Sequence, residues 1–267
     1  MPAPNDRLDP RWTVAGPSGA PLIVFIHPTR LNRTFWSPQV DALSRANRTL
    51  AVDLPGHGRL EGEPFTLPGA VDVVRAAIEA EAAASEPPVP TVVVGLSLGG
   101  YVAMALGAET PGIADTLVLA GSTAEPTGRR AGSFRALALA YDRTPRPVVR
   151  SINAAIFRRR YPGGMGDLLI RSGIASRGGA EALRTLAGHA FLPRLAAYPG
   201  RVVLVNGGRD LVMRPGERRF LAATGRRGRL VRLPGAYHLS SLDRPTEFTA
   251  VIQSAVDEVV EARRLGR

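Results

Sequence analysis

Short, nearly continuous apolar runs alternate with longer amphipathic stretches along most of this chain. LIVFIH (22–27), RTLAVDL (48–54), TVVVGL (91–96), TLVLAG (116–121), RVVLVNG (201–207) and RLVRLPG (229–235) have β-branched cores and carry Gly, Pro or polar residues at or beside their carboxyl ends. Such runs predict strands buried on both faces. Residues 69–85, 98–109, 214–224 and 244–263 have helical composition, and 35–46 predicts a shorter helix. Regular strand–helix alternation predicts an α/β protein with a mostly parallel sheet covered by helices on both sides. WTVAG (12–16) reads as an early antiparallel edge strand.

The rhythm breaks between TLVLAG and RVVLVNG, where about 80 residues contain no convincing strand. Helical pieces such as FRALALAYD, PVVRSINAAIFRRR and GAEALRTLAGHAF occur there, separated by Pro and Gly. A structureless loop of that length is uncommon inside a compact domain, so a helical insertion over the sheet is the better reading. The apolar parts of these pieces either line a pocket or pack the insertion onto the core.

Composition narrows the chemistry. The 267 residues include no cysteine, which removes disulfide frameworks, thiol nucleophiles and thiolate metal sites. The net charge of +11 suggests a nucleic-acid footprint, yet all 34 basic residues are arginine and no helix-turn-helix, RNP or zinc-knuckle pattern accompanies them. We read the excess as compositional bias and expect no specific nucleic-acid partner. The charge is concentrated in residues 122–199, with 13 arginines against four acids, including the run Arg158-Arg159-Arg160. That run implies either preference for an anionic small-molecule substrate or a solvated helix surface. No apolar run reaches the roughly 20 residues of a membrane span. MPAPNDRLDPRW lacks the pattern of a secretory leader, so the expected location is the cytoplasm, with no membrane partner.

The most informative stretch is TVVVGLSLGGYVAMALGAE (91–109). A buried strand ends in Gly95-Leu96-Ser97-Leu98-Gly99 and a helix follows at once, the context that gives Gly-x-Ser-x-Gly its meaning. The turn leaves no room for side chains at Gly95 and Gly99, and it projects Ser97 from the carboxyl edge of the sheet. The free N–H of Leu98 at the helix start favours a developing negative charge. A serine hydroxyl needs a base. Of four histidines, His238 follows the last strand in LPGAYH and falls on the same edge as Ser97. His27 closes the first central strand, His57 sits in a turn, and His189 lies in the insertion. A carboxylate must hold the base's tautomer. Asp210, in NGGRD after the penultimate strand, is on the correct edge; Asp115 precedes its strand and is not, and Glu125 is the fallback.

FIHPTRLNRTFW, AVDLPGHG, VVGLSLGG, VNGGRD and PGAYH, in that order, resemble the α/β-hydrolase superfamily over nearly the whole chain. GLSLGGYVA with the first stretch is loosely similar to the enol-lactone hydrolases. The resemblance implies a Ser97–Asp210–His238 triad, a core of residues 1–121 and 200–267, and a helical cap of residues 122–199 inserted after the family's sixth strand. It also implies a second oxyanion donor after a His-Gly pair. Here the pair is His27-Pro28, a departure that removes one N–H and leaves Thr29 as the donor. His27 and Arg30 become candidate substrate-binding residues, Arg30 either facing the pocket or solvated. The implied activity is hydrolysis of a carboxylic ester or lactone through an acyl-enzyme, without metal or organic cofactor. Thioester cleavage, carbon–carbon bond hydrolysis and acyl transfer use the same triad, and a non-catalytic binding relative is the remaining alternative.

Overall fold

The computed structural model describes residue 9 and residues 11–83, 88–161 and 164–266; most of the N-terminal stretch read for a leader lies outside them. In chain order the sheet and its first helices are β1 (Trp12–Ala15), β2 (Leu22–Ile26), α1 (Ser37–Leu43), β3 (Arg48–Val52), α2 (Leu67–Ala82), β4 (Thr91–Leu96), α3 (Leu98–Glu109) and β5 (Thr116–Ala120). Among the described residues five helices follow: α4 (Arg129–Arg143), α5 (Arg146–Arg160), α6 (Met165–Arg171), α7 (Ser176–Leu186) and α8 (Leu192–Ala197). The chain then adds β6 (Arg201–Gly207), α9 (Glu217–Thr224), β7 (Gly228–Leu233), α10 (Ser240–Asp243) and α11 (Pro245–Arg264).

The sheet order is β1-β3-β2-β4-β5-β6-β7. β1 pairs antiparallel with β3 at the edge, and the other pairs are parallel. Alternation along the strands divides the core. Leu22, Val24 and Ile26 of β2 face α2 and α3, while Ile23 and Phe25 face α11. α3 is buried all round, as a central helix must be. α11 buries one stripe, Phe248, Ile252, Ala255, Val256 and Val259.

The predicted helix 35–46 divides into a 3₁₀ turn, Arg33–Trp36, and α1, because Asn32 caps the turn through the Thr34 N–H. The stretch 214–224 also divides, into a 3₁₀ turn, Arg214–Gly216, and α9, with Gly216 at the N-cap of the helix. In this chain's own count the insertion follows the fifth strand, since the described sheet begins at Trp12. α4 packs on α7 and α5 on α6, with a small apolar cluster of Ala138, Ala180 and Leu183 between α4 and α7. Most buried side chains of the segment instead join the two main cores, among them Phe191, Leu195 and Tyr198 around α8.

The strand order reverses between β2 and β4. In open α/β sheets the crevice at the carboxyl ends of the strands at such a point is where ligands bind. Ser97 follows β4 and Thr29 follows β2, so the reversal point lies between them.

Candidate active site

Ser97 has φ 54° and ψ −113°, a conformation that costs a non-glycine residue about 1–3 kcal/mol. Its N–H donates to the Ala120 carbonyl at 2.8 Å, tying the turn to β5. The neighbouring glycines are required by close approach. A Cβ on Gly99 would stand 2.1 Å from the Ile26 carbonyl oxygen of β2, and one on Gly95 would stand 2.2 Å from that of Gly99. Ser97 therefore sits where two strands and a helix start are pressed together. The N–H of Leu98, in the first turn of α3, has no carbonyl of its own helix to bond.

The loop after β6 carries Asp210 and the loop after β7 carries His238. The loops touch because Gly207 has no side chain: a Cβ there would stand 2.1 Å from the Tyr237 carbonyl oxygen. Asp210 Oδ2 lies 2.7 Å from His238 Nδ1, and Oδ1 accepts from the Val212 and Met213 N–H groups at 3.2 and 3.1 Å. Burial pushes the Asp210 carboxyl up, but the hydrogen bond and charge of His238 and the two N–H groups outweigh it, leaving the pKa below the ordinary carboxylate value. The carboxylate thus holds the proton of His238 on Nδ1 and leaves Nε2 to accept another. The His238 ring rests beside Gly121, where a Cβ would come within 3.2 Å of it.

Ser97, Leu98, Thr29, Asp210 and His238 line one cavity of about 510 Å³. Among the described residues no hydrogen bond joins Ser97 Oγ to the His238 ring; contacts of this type often tighten only when substrate binds. No group of three or more His, Asp or Glu among the described residues is placed to hold a metal ion.

The other sequence candidates separate clearly. His27 is fully buried and absent from the cavity wall, so its substrate-binding assignment is corrected. Its Nδ1–H donates to Pro28 O at 2.9 Å and its Nε2 accepts from Leu54 N–H at 3.0 Å. Both ring nitrogens are thus taken by backbone groups of the loops after β2 and β3. His57 is likewise buried against Pro55 O. Glu125, the fallback acid, accepts from the N–H groups of Phe191 and Leu192 at the start of α8. Arg30 does line the cavity, with φ 68° and its guanidinium 4.4 Å above the Tyr141 ring.

Arg158 and Arg160 are paired with Asp167 and Asp243, and none of the three consecutive arginines lines the cavity. The cavity's roof comes from the helical pieces FRALALAYD and PVVRSINAAIFRRR, whose apolar parts the sequence left open between lining a pocket and packing on the core. Phe134, Leu137 and Tyr141 of α4, and Asn153 and Phe157 of α5, face it. Their spacings of three and four were the available signal.

Residues 23–251 match the alpha/beta hydrolase family, and the chain belongs to it. Among curated proteins it is 27% identical over 271 residues to a pimeloyl-[acyl-carrier protein] methyl ester esterase of Neisseria meningitidis serogroup A, covering 92% of this chain and 80% of that protein. Among solved structures it resembles MenH from S. aureus, with TM-score 0.76 and 15% identity, over 93% of this chain and 98% of that one. It also resembles the enol-lactonase from Burkholderia xenovorans LB400, with TM-score 0.71 and 21% identity, over 91% and 94%. At those identities the structural likeness speaks for the fold.

Proposed function

We propose that this protein is a serine hydrolase that cleaves a carboxylic ester or lactone of a small molecule through an acyl-enzyme. The observation that carries the reading is the Asp210–His238 hydrogen bond opening on the same cavity as a strained, helix-capping Ser97. His238 Nε2 takes the proton of Ser97 Oγ as the oxygen attacks the substrate carbonyl. The oxyanion is held by the N–H groups of Leu98 and Thr29, a type of contact whose loss costs about 100- to 1,000-fold in turnover. His238 then protonates the departing alkoxide, and its Nε2 next takes a proton from water as that water attacks the acyl-enzyme. Acid and alcohol leave, and Ser97 regains its proton. Helices α4–α7 act as a cap that supplies the apolar roof. The esterases among the relatives favour ester over the other bonds open to this triad.

The test is intact-protein mass spectrometry after exposure to a fluorophosphonate. The parent should gain one adduct and Ser97→Ala none, and the variant should lose at least about 10⁴-fold in ester turnover. An unmodified, folded parent would overturn the proposal.

A further inference from the structure

Thr29 and Arg30 are consecutive residues on the cavity wall, and each carries a buried polar atom without a hydrogen-bond partner among the described residues, Thr29 Oγ1 and Arg30 Nε. Native proteins leave few such atoms unsatisfied, and those they leave call for a reason. Arg30 has no carboxylate or carbonyl partner among the described residues. The acids nearest in sequence to its neighbours are engaged elsewhere: Asp142 with Arg184, and Glu181 with Arg177 and the Phe65 N–H. Among the described residues lining the cavity Arg30 is the sole cation, and the sole carboxylate, Asp210, is held by His238 and two backbone N–H groups.

Arg30 is also fixed in place. Among the described residues it is one of two non-glycine residues with positive φ, the other being Ser97. Its carbonyl accepts from the Ala175 N–H, its stem passes under α7 where Gly179 has no side chain, and its guanidinium stacks on Tyr141. A Cβ on Gly179 would stand 2.3 Å from Arg30 Cγ. Strain of this kind persists where surrounding structure enforces it. A planar guanidinium held against an aromatic face keeps its N–H edge for a planar anion.

We infer that Arg30 determines specificity by binding a carboxylate carried by the substrate away from its scissile ester. The apolar wall accommodates the linking carbons, Ser97 meets the ester carbonyl, and Arg30 takes the carboxylate through paired N–H···O contacts. This rests on the hydrolase reading above and names its substrate class: a half-ester of a dicarboxylic acid, or a lactone bearing a carboxylate.

The experiment compares monomethyl adipate, with one free carboxylate, and dimethyl adipate, with none, by pH-stat titration of the parent and variants. The readout is the ratio of kcat/KM for the two, after halving the diester value for its two equal ester groups. The parent should prefer the monoester. Arg30→Gln should lower the ratio about 10- to 100-fold, the range expected for losing a charge-assisted hydrogen bond, chiefly through KM of the monoester. Arg30→Lys should recover part of the loss, and Arg159→Gln, an exposed cap arginine, should leave the ratio within about twofold. Arg30→Met, which keeps the stem beneath Gly179, serves if Arg30→Gln does not fold. An unchanged ratio in the neutral Arg30 variants, or an equal fall in Arg159→Gln, would overturn the inference.

Calorimetric titration of Ser97→Ala with both esters separates the two readings. Arg30-dependent binding of monomethyl adipate without turnover by the parent would sink the hydrolase reading and keep the carboxylate site. Turnover of both esters with no dependence on Arg30 would do the reverse.

Discussion

Asp210 and His238 show how much one side-chain pair can set. The carboxylate accepts from two backbone N–H groups and from the imidazole, so it is held as an anion despite burial, and the imidazole's basic nitrogen is left on the cavity side. Asp210→Asn keeps the shape and places an amide against Nδ1, which favours the wrong tautomer. We expect kcat on an activated ester to fall by about 10⁴-fold with little change in KM, and fluorophosphonate labelling to slow in parallel. Stopped-flow labelling rates check this; a parent-like rate would remove Asp210 from the mechanism. All three members of the proposed triad were legible from residue type and position after a strand. Arg30 was a candidate whose direction the sequence left open, because whether an arginine faces solvent or a cavity depends on what α4 and α7 place above it.

At the scale of elements, the loop carrying His238 is tied to the insertion by one carboxylate. Asp243 of α10 accepts from the Tyr237 N–H at 2.6 Å, from Arg160 at 2.9 and 3.0 Å and from the Tyr161 hydroxyl at 3.1 Å. The Arg160 guanidinium also lies 4.3 Å above the Tyr237 ring. Part of the arginine run, which the sequence left open between a substrate filter and a solvated surface, is therefore a strut between α5 and the residue preceding His238. Asp243→Asn should destabilise the protein by about 1–3 kcal/mol, because a buried acceptor of several donors gains an amide donor among them. Urea unfolding monitored by tryptophan fluorescence measures it, and a loss under about 0.5 kcal/mol would mean that the strut is solvated.

For the whole molecule, two buried histidines make stability depend on pH. Burial lowers His27 to about 4, opposed by its bond to the Pro28 carbonyl; burial and then the charge of His27 lower His57 to about 3. The unfolded chain takes up these protons near 6.5, so between 6.5 and the folded values it binds more protons than the native state. Stability is complete above pH 6.5 and falls below it by about 1 kcal/mol per pH unit for each ring. Urea midpoints at pH 7.5 and pH 5.0 should differ accordingly, and His57→Gln should flatten the slope. Equal midpoints at the two pH values would refute the assignment.

The strands, their order of appearance, the serine turn and the two loops bearing Asp210 and His238 were readable from the sequence, because each depends on local periodicity or on a steric demand a few residues wide. Gly95 and Gly99 announce a close approach, and continuous apolar runs announce burial on both faces. What the sequence left open was decided by contacts between distant segments. Gly207 lets the Asp210 loop meet the carbonyl of Tyr237, and the Gly178-Gly179 pair of α7 lets that helix settle on Gly56 and on the stem of Arg30. His27 turned away from the cavity because two backbone groups claimed its ring, and Arg30 turned into it because Tyr141 offered a face. Both choices are differences in burial and pairing free energy that exist only once β2, α4 and α7 are assembled.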